Sequence, residues 1–383
     1  MAHIERRVRS GRVNYRARYR DPAGRERSKS FSRKVDAERW VAEIEHAKTR
    51  GAWADPALGR VRFSDWLAAW WATTMNLRPT TRARDETLLR LYAVPRFGEI
   101  LVAAISQLEV RAWVAELSAL GFAPATVIKA YQLLGKVMAA AVDAGYLAQT
   151  PCRNVPLPRV EREEMRFLTP TEIVTLAEAI RPAYRALVFV GAYGGLRIGE
   201  LAGLRRSRVD LLRGTVRVAE IVTEVAGRLH FGPPKTRASR RTVSLPRVVT
   251  RELAAHLENG GEPNDHVFTA PQGGSLRIVA FRNRIWRPAT DAAGLTGLRI
   301  HDLRHTAVAL WIAAGASPKE VAVRAGHTSV SFTLDRYGHL YPEADTRLRD
   351  RLDRLHATAR PPEGVVVGLL GQDVRSQRGA DMQ

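Results

Sequence analysis

The residues able to do chemistry lie in four short stretches. Gly195-Leu196-Arg197-Ile198-Gly199-Glu200-Leu201 comes first, an isolated Lys235 second, and His301-Asp302-Leu303-Arg304-His305-Thr306 third. The fourth runs from Gly326-His327 to Tyr337 in Leu334-Asp335-Arg336-Tyr337-Gly338-His339. Two arginines, a lysine, two histidines and a late tyrosine are the groups needed to break a DNA phosphodiester by tyrosine attack without a metal. A phosphodiester resists nucleophiles because its non-bridging oxygens are negative and its leaving alkoxide is poor. Arg197 and Arg304, 107 residues apart, can grip such a group from opposite sides, each with a planar fork matched to phosphate oxygens. Glu200, at i+3 from Arg197, can orient that guanidinium or form an ordinary surface pair with it. His301 and Arg304, at i and i+3 near a helix start, share one face.

Tyr337 is the candidate nucleophile. A phenol has an ordinary pKa of about 10, so it needs cationic neighbours and a base to attack near neutral pH. Tyrosine suits reversible cleavage, because a 3′-phosphotyrosine keeps the bond energy and a DNA 5′-hydroxyl can reverse the step. Neither ATP nor a metal cofactor is then required. Tyr341 competes for the role, but the ten-residue gap from His327 and the Tyr-Gly-His setting favour Tyr337. Lys235 is the sole lysine between Lys136 and Lys319, in a stretch where arginine is otherwise the only basic residue. Lysine can give up a proton where arginine cannot readily do so, which points to general-acid protonation of the leaving 5′-oxygen. A phosphate contact is the alternative. Because Pro233-Pro234-Lys235 precedes a strand, the sequence places Lys235 on a hairpin tip.

In this order the residues resemble the tyrosine recombinase (phage integrase) family, strongly over roughly residues 165–345 and in outline elsewhere. The resemblance implies that His301 assists proton removal from the nucleophile or bonds the phosphate. It implies that His327 donates to a non-bridging oxygen and that Lys235 is the acid. His305 is read as a structural support. Gly194 stands where the family often has threonine, Gly199 where serine is frequent, and Ala325 where leucine is usual. These departures touch local packing and remove no reacting group.

The bulk of the chain agrees with a polyanionic partner. Its 383 residues suit two or three domains, and 45% hydrophobic with 26% charged residues can build real cores. A net charge of +21 points to nucleic acid. Codon bias explains 53 arginines against 7 lysines, but not the excess over acidic residues. Cys152 is the lone cysteine, so no intrachain disulfide or cysteine-based zinc site is expected. No stretch reads as the roughly 20 apolar residues of a membrane span, and Ile4-Glu5-Arg6-Arg7 lacks a signal peptide's apolar core. A cytoplasmic, nucleoid-associated location is the expectation for a bacterial host.

The elements that must position these groups fall into segments. Arg12 to Arg20 alternates basic with apolar or aromatic residues at the period of a strand, and Arg27 to Phe31 can return as another after a turn at Asp21-Pro22-Ala23-Gly24. From Arg6 to Lys34 there are 12 basic and 2 acidic residues. One sheet face would carry Arg12, Arg16, Arg18 and Arg20, with Tyr15 and Tyr19 between or behind them. A helix over 36–48 would cover the sheet with Val35, Trp40, Val41 and Ile44. A three-stranded sheet plus helix resembles the arm-site DNA-binding domain of phage-type integrases; a solvated basic hairpin is the plainer reading. Residues 63–146 read as a helical bundle, with Phe63, Trp66, Leu67, Trp70 and Trp71 as a core stripe. The bundle resembles the family's core-binding (SAM-like) domain. Capping signatures at Ser106, Thr169 and Ser317 open helices, and 182–193, 302–314 and 318–325 read as helical, with strands at 215–218 and 241–245.

The expected fold is therefore mainly α with small β-sheets. The segments are an arm-site domain over 1–55, a core-binding domain over 60–150, an α+β catalytic domain over 165–360 and a tail over 361–383. The expected function is a site-specific recombinase, the integrase of a phage or other integrative element. Its partners would be double-stranded DNA at core and arm sites, four copies of itself on DNA and accessory DNA-bending proteins, with no membrane. Leu348, Leu352 and Leu355 would give the helix after Tyr337 an apolar stripe for a neighbour. The rivals are a type IB topoisomerase, with the same chemistry but no strand exchange, and a non-catalytic DNA-binding regulator.

Overall fold

The computed structural model describes residues 2–9, 12–21, 24–50, 53, 55, 58–161, 164–258, 260–341 and 344–358. The expected tail over 361–383 lies outside them. The chain is mainly helical with small antiparallel sheets. It divides into two compact units, Met1–Glu164 with Thr223–His230, and Met165–Val222 with Phe231–Gln383.

The first unit opens with strands β1 (His3–Arg9), β2 (Arg12–Arg20) and β3 (Glu26–Phe31), in that order across the sheet. Side chains alternate across a pleated strand, so Ala17 and Tyr19 are buried against helix α1 (Lys34–Thr49), with the Tyr19 ring edge-on to Trp40 at 5.4 Å. Arg12, Arg16, Arg18 and Arg20 take the other face, so the tyrosines lie behind the arginines. Arg18 is engaged by Glu5 at 3.1 Å and Glu26 at 3.0 Å, and Arg16 donates to Ser28. Val35 does not cover the sheet: it is 50% exposed, and Ala37 is buried instead. Positions 37, 40, 41 and 44 make one helical face, and 35 falls off it.

Helices α2 (Phe63–Thr73), α3 (Pro79–Leu88), α4 (Val94–Phe97), α5 (Gln107–Ala119) and α6 (Pro124–Asp143) form a bundle in the same unit. Phe63, Trp66, Phe97, Trp113, Leu134, Val137 and Met138 fill its core, and Trp70 and Trp71 pack half-buried at its margin. The indole N–H groups of Trp66 and Trp113 donate to the carbonyls of Val137 and Tyr92, so the stripe is core. Against the sequence expectation, α6 is long and apolar enough to cross a membrane. Its buried Val127, Leu133, Leu134, Val137 and Met138 make it the bundle's central helix.

The second unit begins with α7 (Pro170–Ala179), α8 (Arg185–Gly194) and the short α9 (Ile198–Ala202). Five short strands follow in the chain, β4 (Val209–Asp210), β5 (Thr215–Val218), β6 (Ile221–Val225), β7 (Arg228–Gly232) and β8 (Arg241–Ser244), of which most of β6 and β7, Thr223–His230, groups with the first unit. They form one sheet of order β4-β5-β8 and a separate β6-β7 ribbon. Then come α10 (Arg247–Leu257), α11 (Ile278–Phe281), α12 (Arg287–Ala292), α13 (Ile300–Ala313), α14 (Pro318–Ala325), α15 (Val330–Tyr337) and α16 (Ala344–Thr358). Helices α8 and α13 pack together and are buried along most of their lengths, making the rigid centre from which the reacting groups project. The capping boxes of α5, α7 and α14 form: Ser106, Thr169 and Ser317 each accept from the backbone N–H of a glutamate three residues on.

Candidate active site

In the second unit the end of α8, the first half of α13, the turn after α14 and the end of α15 converge. Gly195 closes α8 with φ +66°, where a Cβ would stand 2.6 Å from the Trp311 ring, so only glycine makes this turn. The turn aims the Gly195 carbonyl at Arg304, whose Nη1 donates to it at 2.6 Å. Two residues on, Arg197 caps α9. Glu200 reaches back, accepting from the Arg197 backbone N–H and from its Nη1, both at 2.9 Å. A Cβ at Gly199 would lie 2.7 Å from the Val222 carbonyl, which explains the missing serine.

Glu200 is no surface pair. It is 3% exposed, and its two oxygens also accept from both terminal nitrogens of Arg241, at 3.1 and 3.0 Å. Burial acts to raise its pKa, but Arg241 and then Arg197 outweigh this and hold it below the usual carboxylate value. A lowered folded-state pKa contributes stability above the ordinary carboxylate range, and that stability is lost as pH falls through the folded value. Glu200→Gln leaves the Arg241 guanidinium buried without a counter-charge. Urea denaturation at pH 7 is expected to show a loss of about 3–5 kcal/mol. An unchanged midpoint would mean that Arg241 finds another anion.

Arg304 is 3% exposed, and its Nη2 donates to the Ala325 carbonyl at 2.6 Å. Arg197 Nη2 donates at 3.4 Å to the next carbonyl, that of Gly326. Consecutive carbonyls immediately before His327 thus hold both guanidiniums. Burial and then the repulsion of Arg197 push the Arg304 pKa down. Arginine nonetheless stays cationic at neutral pH. The His327 ring stacks on Tyr337, with centroids 6.2 Å apart and planes 6° from parallel, and its Nδ1 lies 2.8 Å from the Thr333 hydroxyl.

Tyr337 is 2% exposed, and its hydroxyl lies 2.7 Å from Nδ1 of His305. The sequence reading gave His305 a structural task; the fold places it on the candidate nucleophile. One signal was available, since His305 lies at i+4 from His301 and so on the same helix face. His301 meets His305 edge-on at 4.7 Å. It keeps more than a third of its own surface exposed yet faces a crowded, cationic cleft. Lost hydration, then Arg304 and Arg197, push the His301 pKa down to about 4. His305 and His327 are likewise pushed by burial first to about 4 and about 3, so all three imidazoles are neutral at pH 7. Burial raises the Tyr337 pKa, and Arg304, Arg336 and Arg197 counter it only in part. The phenol is therefore un-ionised in the free protein. Tyr341 is half-buried just past α15, with its hydroxyl lacking a hydrogen-bond partner among the described residues.

Lys235 is exposed on the segment joining β7 to β8, not on a hairpin tip. The reason is topological: β7 pairs with β6, whereas β8 pairs with β5, so the connection crosses between sheets. The downstream end of this segment packs on the site, because the Ala238 carbonyl would lie 3.1 Å from a Cβ at Gly326. Lys235 itself stands outside the buried cluster. Arg12, Arg16, Arg18 and Arg20 lie on β2 in the first unit.

Residues 166–344 match the model of the phage integrase family. Over most of its length the chain is similar to a putative prophage phiRv2 integrase of Mycobacterium tuberculosis. The two are 29% identical over 361 residues, covering 91% of this chain and 94% of the relative. The integrase of Mycobacterium phage L5 is 28% identical over 367 residues, covering 92% and 97%. Among solved structures, the Tn1549 transposon integrase in complex with transposon right end DNA has a TM-score of 0.66. It is 19% identical, with 77% of this chain and all of that one covered (100%). A lambda integrase tetramer bound to a Holliday junction has a TM-score of 0.53 at 18% identity, covering 83% and 91%. These likenesses establish the fold.

Proposed function

This chain belongs to the phage integrase family, and from that premise we propose that it is the site-specific DNA recombinase of a phage or integrative element. The observation that carries the chemistry is the convergence of Arg304 and Arg197 on the carbonyls of Ala325 and Gly326, directly before a histidine stacked on Tyr337. Guanidinium N–H groups not spent on those carbonyls neutralise the non-bridging oxygens, and His327 donates a further hydrogen bond. Tyr337 attacks phosphorus in line with the 5′-oxygen. Its proton passes to the imidazole cluster of His305 and His301, the phosphorus–5′-oxygen bond breaks, and Lys235 protonates the departing oxygen. The 5′-hydroxyl of a second duplex then attacks the 3′-phosphotyrosine, and the same steps run in reverse. Energy is conserved in the covalent linkage, so the reaction proceeds without ATP.

Exchange needs two duplexes held together, and we assign that to four protomers in a cyclic head-to-tail arrangement on DNA. On α16, Leu352 and Leu355 are 54% and 66% exposed, which suits docking on a neighbouring protomer; the Leu348 side chain lies outside the described residues. The domain assignment is ours as well: an arm-site sheet over 1–55, a core-binding bundle over 60–150 and a catalytic domain over 165–360. Acting on genomic DNA places the protein at the nucleoid, with DNA-bending proteins as accessories.

The test is joining of two attachment-site duplexes drawn from DNA flanking the gene, against relaxation of supercoiled DNA that lacks any such site. Joining is expected. Relaxation without a site and without joining would instead indicate a type IB topoisomerase. For the arm site, the basic sheet face makes a separate prediction. Replacing Arg12, Arg16 and Arg20 by alanine should reduce the log–log salt slope of arm-DNA binding by up to about 3, roughly 0.9 per lost phosphate contact. Cleavage at isolated core sites should be preserved. Gel-shift titrations over a salt series check it, and an unchanged slope would reduce this face to solvated charge.

A further inference from the structure

His327 can donate to a phosphate oxygen only if its proton sits on the nitrogen that faces the phosphate. A neutral imidazole has one N–H, and the partner of its other nitrogen decides which one carries it. Here that partner is the hydroxyl of Thr333, 2.8 Å from Nδ1. Thr333 has no exposed surface, and among the described residues Nδ1 is its hydroxyl's one hydrogen-bond partner. Were Nδ1 protonated, the threonine hydroxyl would have to accept, and its own hydrogen would point into a dry interior with nothing to receive it. The hydroxyl therefore donates, Nδ1 accepts, and the ring proton lies on Nε2.

We propose that Thr333 is a positioning residue for the strand-cleavage reaction, fixing His327 as the Nε2–H tautomer that donates to a non-bridging phosphate oxygen beside Arg197 and Arg304. The proposal rests on the reading of His327 as a phosphate ligand. Helix α15 is built for this task. Ser329 caps it, accepting from the Phe332 backbone N–H at 3.2 Å and fixing where its first turn begins. Thr333 and Tyr337 follow at i and i+4, both buried, so one helix face carries the hydroxyl that orients the histidine and, one turn later, the nucleophile. The Phe332 ring, its centroid 4.8 Å from that of His327 and its plane tilted by 68°, packs against the imidazole from another side. A helix that delivers Tyr337 thus delivers the correct form of His327 with it.

The test compares Thr333→Val, which keeps the shape and removes the hydroxyl, with Thr333→Ser, which keeps the hydroxyl. It uses the full chain on a nicked duplex containing its own core site. Single-turnover cleavage by Thr333→Val should slow on the order of 10-fold or more, as expected when a tautomer-setting partner is lost. DNA affinity should stay within about twofold, since phosphate charge recognition is untouched. Thr333→Ser should restore cleavage. The ¹⁵N shifts of the His327 ring, assigned by comparison with His327→Gln, should show a bare Nδ1 and a protonated Nε2 in the native chain and in Thr333→Ser, and mixed tautomers in Thr333→Val. A native chain with its proton on Nδ1 overturns the proposal, as does native-rate cleavage by Thr333→Val while His327→Gln is slow. Native-rate cleavage by His327→Gln overturns the reading of His327 and the role of Thr333 together.

Discussion

Tyr337 should become covalently joined to DNA. On a nicked duplex whose short cleaved fragment diffuses away, the native chain is expected to accumulate an adduct that survives denaturant, in EDTA and without ATP. Tyr337→Phe should accumulate none. The free protein holds this phenol buried, protonated and bonded to His305. A phosphate entering between Arg197 and Arg304 brings the charge that changes its surroundings, and the base is already in contact. Because its proton passes to His305 and His301, bases whose pKa burial pushes down to about 4, adduct formation should be nearly independent of pH around neutrality and slow as pH falls toward that value. Peptide mapping decides the site. An adduct on Tyr341 would keep the reaction class and overturn the assignment to Tyr337.

Lys235→Ala should cleave an ordinary duplex on the order of 10²–10⁴-fold more slowly than the native chain, the usual contribution of a positioned acid. On a duplex with sulfur at the bridging 5′ position, its rate should return close to native. A thiolate leaves without a proton, so the acid is dispensable there and only there. Arg197→Ala is the comparator, because it loses charge stabilisation on the phosphate itself, worth on the order of 10²-fold or more, and should stay slow on both substrates. Arg304→Ala should also stay slow on both, but it additionally strands the buried carbonyls of Gly195 and Ala325 and requires a folding check. Lys235 is exposed, on a segment whose far end packs on Gly326. Failure of the sulfur substrate to rescue Lys235→Ala would make this lysine a positioning contact and assign the proton to another donor.

Much of the candidate site could be read before any contact was known. Arg197, His301, Arg304, His327 and Tyr337 stand in short runs whose residue types carry their chemistry, and the fold gathers them in one place. Local signals also held: the boxes at Ser106, Thr169 and Ser317 open helices, and the alternation of Arg12 to Arg20 makes a two-faced strand. Such features depend on neighbours three or four residues away, so sequence alone specifies them.

Partners were a different matter. Arg304 is held by carbonyls 109 and 21 residues away in the chain, and Glu200 by an arginine 41 residues away. No periodicity encodes such distances. The bond between His305 and Tyr337 arises because α13 and α15 meet, and the one between Thr333 and His327 because the chain turns at Gly326. Lys235 could not be placed on its loop without knowing that β8 pairs back with β5. The residue types and their spacing marked the candidate groups. Only the packed fold shows which of them are buried, which hydroxyl meets His327 Nδ1 and which imidazole meets the Tyr337 hydroxyl, because hydration and pairing exist only once distant segments have packed.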